Sequence, residues 1–184
     1  MISFYKPNTK NTGTACSFSV NPKDESVWCS VIKQSSWNEK TKTGSFIDNK
    51  DNPQKSARVK FSLIEAAGIL ESLDKNVEFS AYHSSDKQIT KIKLSPYIRE
   101  EKQVGFSFAI NKENKENSEN KQSYLIGFYF NEARLLKEFI LNSLNTVFEY
   151  QRVELIKKIK NNPKQKNPVI QNQIDQSDSD SELW

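Results

Sequence analysis

Twice along this chain a period-two alternation of apolar and polar residues gives way to a 3.6-residue period, and that repeated change restricts the fold more than any single motif does. Residues 12–20 (TGTACSFSV) set Cys16, Phe18 and Val20 on one face, and Asn21-Pro22-Lys23-Asp24 turns into a second strand at 26–34 (SVWCSVIKQ), making a hairpin. In the polar stretch that follows, 43–48 supplies a short third strand, and 57–61 gives a fourth. Ser62-Leu63-Ile64-Glu65 has the S-x-x-E form of a capping box, and Leu63, Ala66, Ala67, Leu70 and Leu73 recur at helical spacing, predicting a helix over about 63–74. Four more strands fall at 77–83, 88–95, 103–110 and 123–130, the last two joined by the low-complexity NKENKENSENKQ. From Asn131 the helical period returns, with Leu135, Leu136, Phe139, Ile140, Leu144, Val147 and Phe148 on one stripe and continuation toward Pro163. The order predicts one α+β domain over 1–160, two four-stranded antiparallel sheets with two helices (ββββα-ββββα), and a disordered tail over 161–184. A sandwich without pseudo-symmetry is the alternative arrangement.

Several chemistries lack their parts. The five glycines are too scattered for G-x-G-x-x-G or a P-loop, and no G-x-S-x-G elbow occurs. Two cysteines and one histidine cannot complete a four-ligand zinc site, and the acids form neither a paired-carboxylate motif nor a calcium loop. Cys16 and Cys29 lie within apolar strands, where buried inert thiols are expected. We expect no enzyme, no metal and no cofactor. No apolar run approaches membrane length, and the first ten residues lack a signal-peptide core, which predicts a cytoplasmic, nucleoid-associated protein.

Binding features are plainer. The net charge of +4 conceals a division: residues 171–184 carry Asp175, Asp178, Asp180 and Glu182 and no Lys or Arg, leaving 19 of the 23 acids against all 27 bases in residues 1–170. A basic body points to a polyanionic partner, and a terminal acidic block to an interaction tail. Trp28 and Trp37 stand near Lys33, Lys40 and Lys42, Lys60 ends its strand, Tyr82 and His83 end another, and Tyr97 follows Lys91 and Lys93. Flat aromatics beside flexible cations suit single-stranded nucleic acid, because bases stack while lysines follow the phosphates. Only four of the bases are Arg, which favours phosphate contacts over bidentate base reading. His83 is more simply structural, and Phe18, Phe79, Phe106, Phe108, Phe128 and Phe130 are expected in the core, whereas Trp37 has no evident core role. Two strand faces, Ala15-Ser17-Ser19 and Gly105-Ser107-Ala109, are nearly smooth and allow a close approach, most simply by another subunit. The stripe Leu136, Phe139, Ile140, Leu144, Val147 and Phe148 is wider than one small sheet needs, so it is expected to carry a homo-oligomer. The exposed tip Leu183-Trp184, after Asp178, Asp180 and Glu182, is expected to enter a partner's pocket.

With the elements placed, the chain resembles the Whirly family of single-stranded DNA-binding proteins over about residues 12–150. Lys60-Phe61-Ser62 with Glu65 resembles the family's strand-to-helix segment, Glu78-Phe79 through His83 its Phe-His strand end, and Lys91-Ile92-Lys93-Leu94-Ser95-Pro96 its Lys-rich strand. Gly105-Phe106-Ser107-Phe108 resembles its Gly-aromatic strand and Glu132 to Phe148 its final helix. The resemblance implies two crossed four-stranded sheets, tetramers formed through the helices, and binding of single strands with little sequence preference. Where the family carries Lys-Gly-x-Lys-Ala, this chain has Thr12-Gly13-Thr14-Ala15, without both lysines. The tail end Ser181-Glu182-Leu183-Trp184 resembles the acidic tails of bacterial single-stranded DNA-binding proteins, which implies recruitment of replication or repair proteins. The expected function is sequence-tolerant binding of single-stranded DNA in replication, recombination or repair. RNA binding or annealing on the same fold, and a purely structural interaction protein, are the alternatives. The Lys-, Asn- and Ile-rich composition points to an AT-rich genome, that of a phage or a low-GC bacterium.

Overall fold

In the computed structural model, which describes residues 1–117 and 121–161, the chain starts a sheet earlier than its first expected hairpin. Strand β1 (Ile2–Lys6) alternates Ile2 and Phe4 with Ser3 and Tyr5, and it pairs antiparallel with β2 (Thr14–Asn21), Phe4 opposite Cys16. A 3-10 turn at Pro22–Asp24 leads to β3 (Ser26–Lys33), completing the expected hairpin with Phe18 opposite Cys29 and Cys16 opposite Val31.

The expected third strand is corrected. Only Thr43–Ser45 is extended (β5), and it pairs with β4 (Ser36–Asn38) in a separate two-stranded sheet. Residues Ile47–Asn49 coil into a 3-10 turn, which leaves too short a segment to join a sheet edge. The vacant place beside β2 is taken by β1. Strand β6 (Ser56–Ser62) closes the other side against β3, so the N-terminal sheet has the order β1-β2-β3-β6.

Helix α1 (Leu63–Lys75) starts where the capping box places it: the Glu65 N–H donates to Ser62 Oγ at 3.3 Å and the Ser62 N–H donates to Glu65 Oε2 at 2.9 Å. Asn76, left-handed at φ 59°, ends it. The C-terminal sheet follows as β7 (Phe79–Ser84), β8 (Gln88–Arg99), β9 (Lys102–Asn114) and β10 (Lys121–Tyr129), ordered β10-β9-β8-β7. Strand β8 outruns its expected end, and β9 starts directly after it, because Glu100 and Glu101, at φ 50° and 63°, form a two-residue turn with no Gly or Asn to announce it. Among the described residues the architecture is thus α+β, with two four-stranded antiparallel sheets, two helices and an added two-stranded sheet.

One core joins the inner faces of both sheets. Phe18 meets Phe108 at 5.8 Å between ring centres and Phe4 meets Phe128 at 4.9 Å, with Val27, Val59, Phe61, Ile92, Leu94 and Ile110 around them and Ala66 and Ile69 of α1 beside them. Helix α2 (Phe130–Asn161) contributes Ala133, Leu136, Ile140 and Leu144. Phe130, expected in the core, is exposed instead: the strand stops at Tyr129, and the first helical residue turns outward. The chain divides into two units, Met1–Phe148 and Glu149–Trp184. In the second, the helix is laced by Arg152–Glu149 and Lys157–Glu154 pairs, and the expected tail beyond Asn161 lies outside the described residues. No helix among the described residues is long and apolar enough to cross a membrane.

The capping box also holds His83. Its Nε2 lies 2.6 Å from Glu65 Oε1, and its ring meets Phe61 edge-on at 6.4 Å. Burial works against the charged Glu65, but the Ser62 N–H and the His83 bond outweigh it and hold the carboxyl below its ordinary value of 4.5. A depressed carboxyl stabilises the fold fully above that value, and the contribution is lost as pH falls through the lower folded one. Thermal melts should therefore show Glu65→Gln less stable than the parent at pH 6, with the gap closing below pH of about 4.

Candidate nucleic-acid interface

Because alternate residues of each strand fill the core, the remaining ones form two outer faces. On the N-terminal sheet the register sets out three rows. Ser19, Trp28 and Lys60 form the first, Ser3, Ser17, Ser30 and Arg58 the second, and Tyr5, Ala15, Ile32 and Ser56 the third. The Arg58 guanidinium lies over the Trp28 ring at 4.3 Å and Lys60 Nζ reaches within 5.9 Å of it. Lys60 also pairs with Asp24 at 2.9 Å, and that bond holds the Asp24 carboxyl below its ordinary range. Between the large side chains the floor is serine and alanine, the first of the two smooth faces.

The segment between β3 and β6 walls this face, and Gln34 anchors it. The Gln34 side chain is buried, its Oε1 accepts from the Asn8 N–H at 2.9 Å, and its Nε2 donates to the Asn8 and Ser36 carbonyls at 3.0 and 2.9 Å. Asn49 Nδ2 donates to the Lys33 and Gln34 carbonyls from the other side. A Cβ on Gly13 would fall 2.4 Å from Gln34 Oε1, so that glycine makes room for the hub.

Two adjoining chambers result. One, of about 590 Å³, is apolar, with Ser17, Ser30 and Ala15 below and Tyr5, Ile32, Phe46 and Ile47 around; the Tyr5 and Phe46 rings are 5.9 Å apart. The other, of about 710 Å³, opens between the wall and the ends of β8 and β9, and Lys50, Arg58, Lys87 and Lys112 line it with Asp51 and Glu113. None of these four cations pairs with a carboxylate among the described residues. Lys112 is partly buried and, among the described residues, donates to the Arg58 carbonyl at 3.5 Å, and that burial pushes its ammonium below the usual lysine value. A cation that has lost water without gaining a counter-charge favours an anion beside it.

The outer face of the C-terminal sheet carries Lys91, Lys93, Tyr82, Tyr97, Leu125 and Tyr129 around the smooth strip Ser107 and Ala109. Tyr82, Tyr97 and Tyr129 are exposed, and Lys93 pairs with Glu78 at 2.8 Å. Gly105 belongs to this strip for a backbone reason: φ is 153°, and a Cβ there would meet the Phe128 carbonyl oxygen at 2.0 Å. A hollow of about 210 Å³ lies beside it between Tyr97, Tyr129 and Lys6, whose Nζ sits 4.5 Å from the Tyr129 ring centre.

The expected contact residues are thus divided. Trp28 and Lys60 stand on one outer face, and Tyr82, Lys91, Lys93 and Tyr97 on the other. Lys33 turns inward, its Nζ 5.3 Å from the ring centre of Tyr124, whose hydroxyl burial pushes up to about 12. Trp37 faces Gly44 in the small sheet with its Nε1 buried and without an acceptor among the described residues. Lys40 and Lys42 lie on the exposed turn of that hairpin, Lys42 tied to Glu39. His83 serves the cap of α1. Of the expected oligomer stripe, Leu136, Ile140, Leu144 and Val147 are buried within the chain itself and Phe139 packs against the core, while Phe148 is exposed along with Leu135 and Leu141. Asp178, Asp180, Glu182, Leu183 and Trp184 lie outside the described residues. Sequence reasoning missed Tyr5, Phe46, Lys50, Arg58, Lys112 and Gln34. Arg58 alone carried a signal, since it alternates with Lys60 on one strand face.

No family model matches this chain, and no curated protein sequence does. Among solved structures it is similar to the plant transcriptional regulator PBF-2, with a TM-score of 0.58 and 12% identity over 83% of this chain and 84% of that one. It is likewise similar to WHY1 from Arabidopsis thaliana, with a TM-score of 0.58 and 13% identity over 86% of this chain and 90% of that one. The fold is Whirly-like. The likeness is one of architecture, and it agrees with the order of strands and helices on which the sequence resemblance rests.

Proposed function

We propose that this protein binds single-stranded nucleic acid, DNA in the first place, along the outer face of its N-terminal sheet. The observation that carries the reading is Trp28 under the exposed Arg58 guanidinium, beside a chamber whose four cations have no carboxylate partner among the described residues. A base stacks on the free plane of Arg58 or takes its place on the indole, while Lys50, Lys87 and Lys112 neutralise phosphates. The serine floor admits the strand, and Tyr5 in the apolar chamber offers a second ring. The Whirly-like fold supports the same reading.

We assign the protein a non-catalytic role in replication, recombination or repair, acting in the cytoplasm as an oligomer. Since most of the α2 stripe is buried within the chain, the oligomer contact falls to the exposed Leu135, Leu141 and Phe148. The acidic end with Leu183-Trp184 recruits partner proteins, its charge steering it to a basic surface and its tip filling a pocket.

Competition titrations with poly-dT, poly-U and duplex DNA test the central reading. Poly-dT should win, and its affinity should fall with salt at a log-log slope of about -0.7 per phosphate neutralised, reduced by about one such unit in Lys112→Ala. Trp28→Ala should bind about 5- to 150-fold more weakly, the range that loss of one stacked base gives. Preference for poly-U selects the RNA alternative, and duplex preference or no binding contradicts the proposal. Truncation after Glu182 should abolish capture of replication or repair partners without changing DNA affinity. Light scattering that finds a monomer at micromolar concentration would refute the oligomer.

A further inference from the structure

The cation-lined chamber holds more hydrogen-bonding groups than phosphate binding needs. Four amides line it, Gln54, Gln88, Asn114 and Gln122, together with the carboxylates of Asp51 and Glu113. Its volume of about 710 Å³ lies within the range of about 300–1,000 Å³ typical of small-molecule sites. The amides are oriented by bonds that each use only part of their capacity. Gln122 Nε2 donates to Gln54 Oε1 at 3.0 Å, which leaves the Gln54 Nε2 hydrogens without a partner among the described residues. Gln88 Nε2 donates to Thr90 Oγ1 at 2.9 Å, and Gln88 Oε1 has no donor among the described residues. Asn114 Oδ1 accepts from the Glu116 N–H at 2.8 Å and so presents its Nδ2 as a donor.

Free donors serve phosphate as well as anything, but free acceptors do not, because a phosphodiester has no hydrogen to donate. In a DNA strand the only donors are the N–H groups on base edges, and each base presents them in a different order with its acceptors. Gln88 Oε1 and Asp51, which has no cation partner among the described residues, are therefore groups that a DNA backbone cannot satisfy. We infer that this chamber takes one nucleotide and reads its base edge, so that binding has a base preference at one position within an otherwise tolerant strand. This rests on the proposed binding of single-stranded DNA along the same face.

The test measures affinity for oligo-dA, oligo-dC, oligo-dG carrying spacers against self-structure, and oligo-dT, with the full-length protein. Using DNA removes the 2′-hydroxyl, the one backbone donor that RNA would add. The best and worst homopolymers should differ by about tenfold or more, the discrimination that one base-edge pair gives. Gln88→Ala should shrink that ratio while leaving the salt slope unchanged, because it removes no cation. Gln54→Glu keeps the acceptor for Gln122 and turns only the free donor into an acceptor; it should weaken all four through its charge and change their order. Equal affinities of the parent for all four, or a ratio and an order unchanged in both variants, would overturn the inference while the binding proposal stands. No binding to any of the four would overturn the binding proposal as well.

Discussion

The contact between the inner faces of the two four-stranded sheets, where Phe18 meets Phe108 and Phe4 meets Phe128, governs what the rest of the molecule is free to do. Each fully buried large apolar side chain contributes about 1.5–3 kcal/mol, and the layer contains many of them. Because strand side chains alternate, committing Cys16, Phe18, Val27, Cys29, Val31, Val59 and Phe61 to that layer commits Ser17, Ser19, Trp28, Ser30, Arg58 and Lys60 to the opposite face. The candidate interface is thus the other half of the core pattern. A one-residue slip of β3 would bury Trp28 and Ser30 and expose Val27 and Cys29, so stability and site geometry depend on the same register.

What distinguishes the N-terminal face from the C-terminal one is the wall between β3 and β6. Without it, the serine floor would be an open sheet surface, as the Ser107-Ala109 strip is on the other side. The wall has little core of its own; Phe46 is its buried apolar residue, and its base is held by the hydrogen bonds of Gln34 and Asn49. Removing a buried amide that satisfies several backbone groups leaves each unpaired, at about 1–3 kcal/mol apiece. A polar hub of this kind fixes the position of Phe46 and Lys50 over the floor, which is what gives the face its two chambers.

Patterning along single segments was legible, and contacts between distant segments were not. The β2–β3 hairpin, the Ser62–Glu65 capping box and the four strands of the C-terminal sheet all show in local alternation or in a motif of four residues. Strand β1 escapes because five residues with one Phe and one Ile read equally well as a polar start, and only the exposed edge of β2 decides their pairing. Trp37 stands in a polar stretch and so suggests an exposed ring, yet its Nε1 is buried. The α2 stripe reads as too wide for one small sheet because sequence cannot show that Leu136, Ile140 and Leu144 join a core cluster to which both sheets contribute. Gln34 and Lys112 have no local signal at all, since their roles arise from segments more than twenty and fifty residues away.

The proposed path of a bound strand runs along Trp28 and Tyr5 rather than along the tyrosines of the other sheet, and photo-crosslinking with 5-iodo-deoxyuridine oligonucleotides measures that choice directly. Mass spectrometry of the adducts should find nucleotide on Trp28 or Tyr5, with crosslinking lost as salt rises. Adducts confined to Tyr82, Tyr97 and Tyr129 would show that the protein uses its C-terminal sheet and would contradict the assignment of the interface.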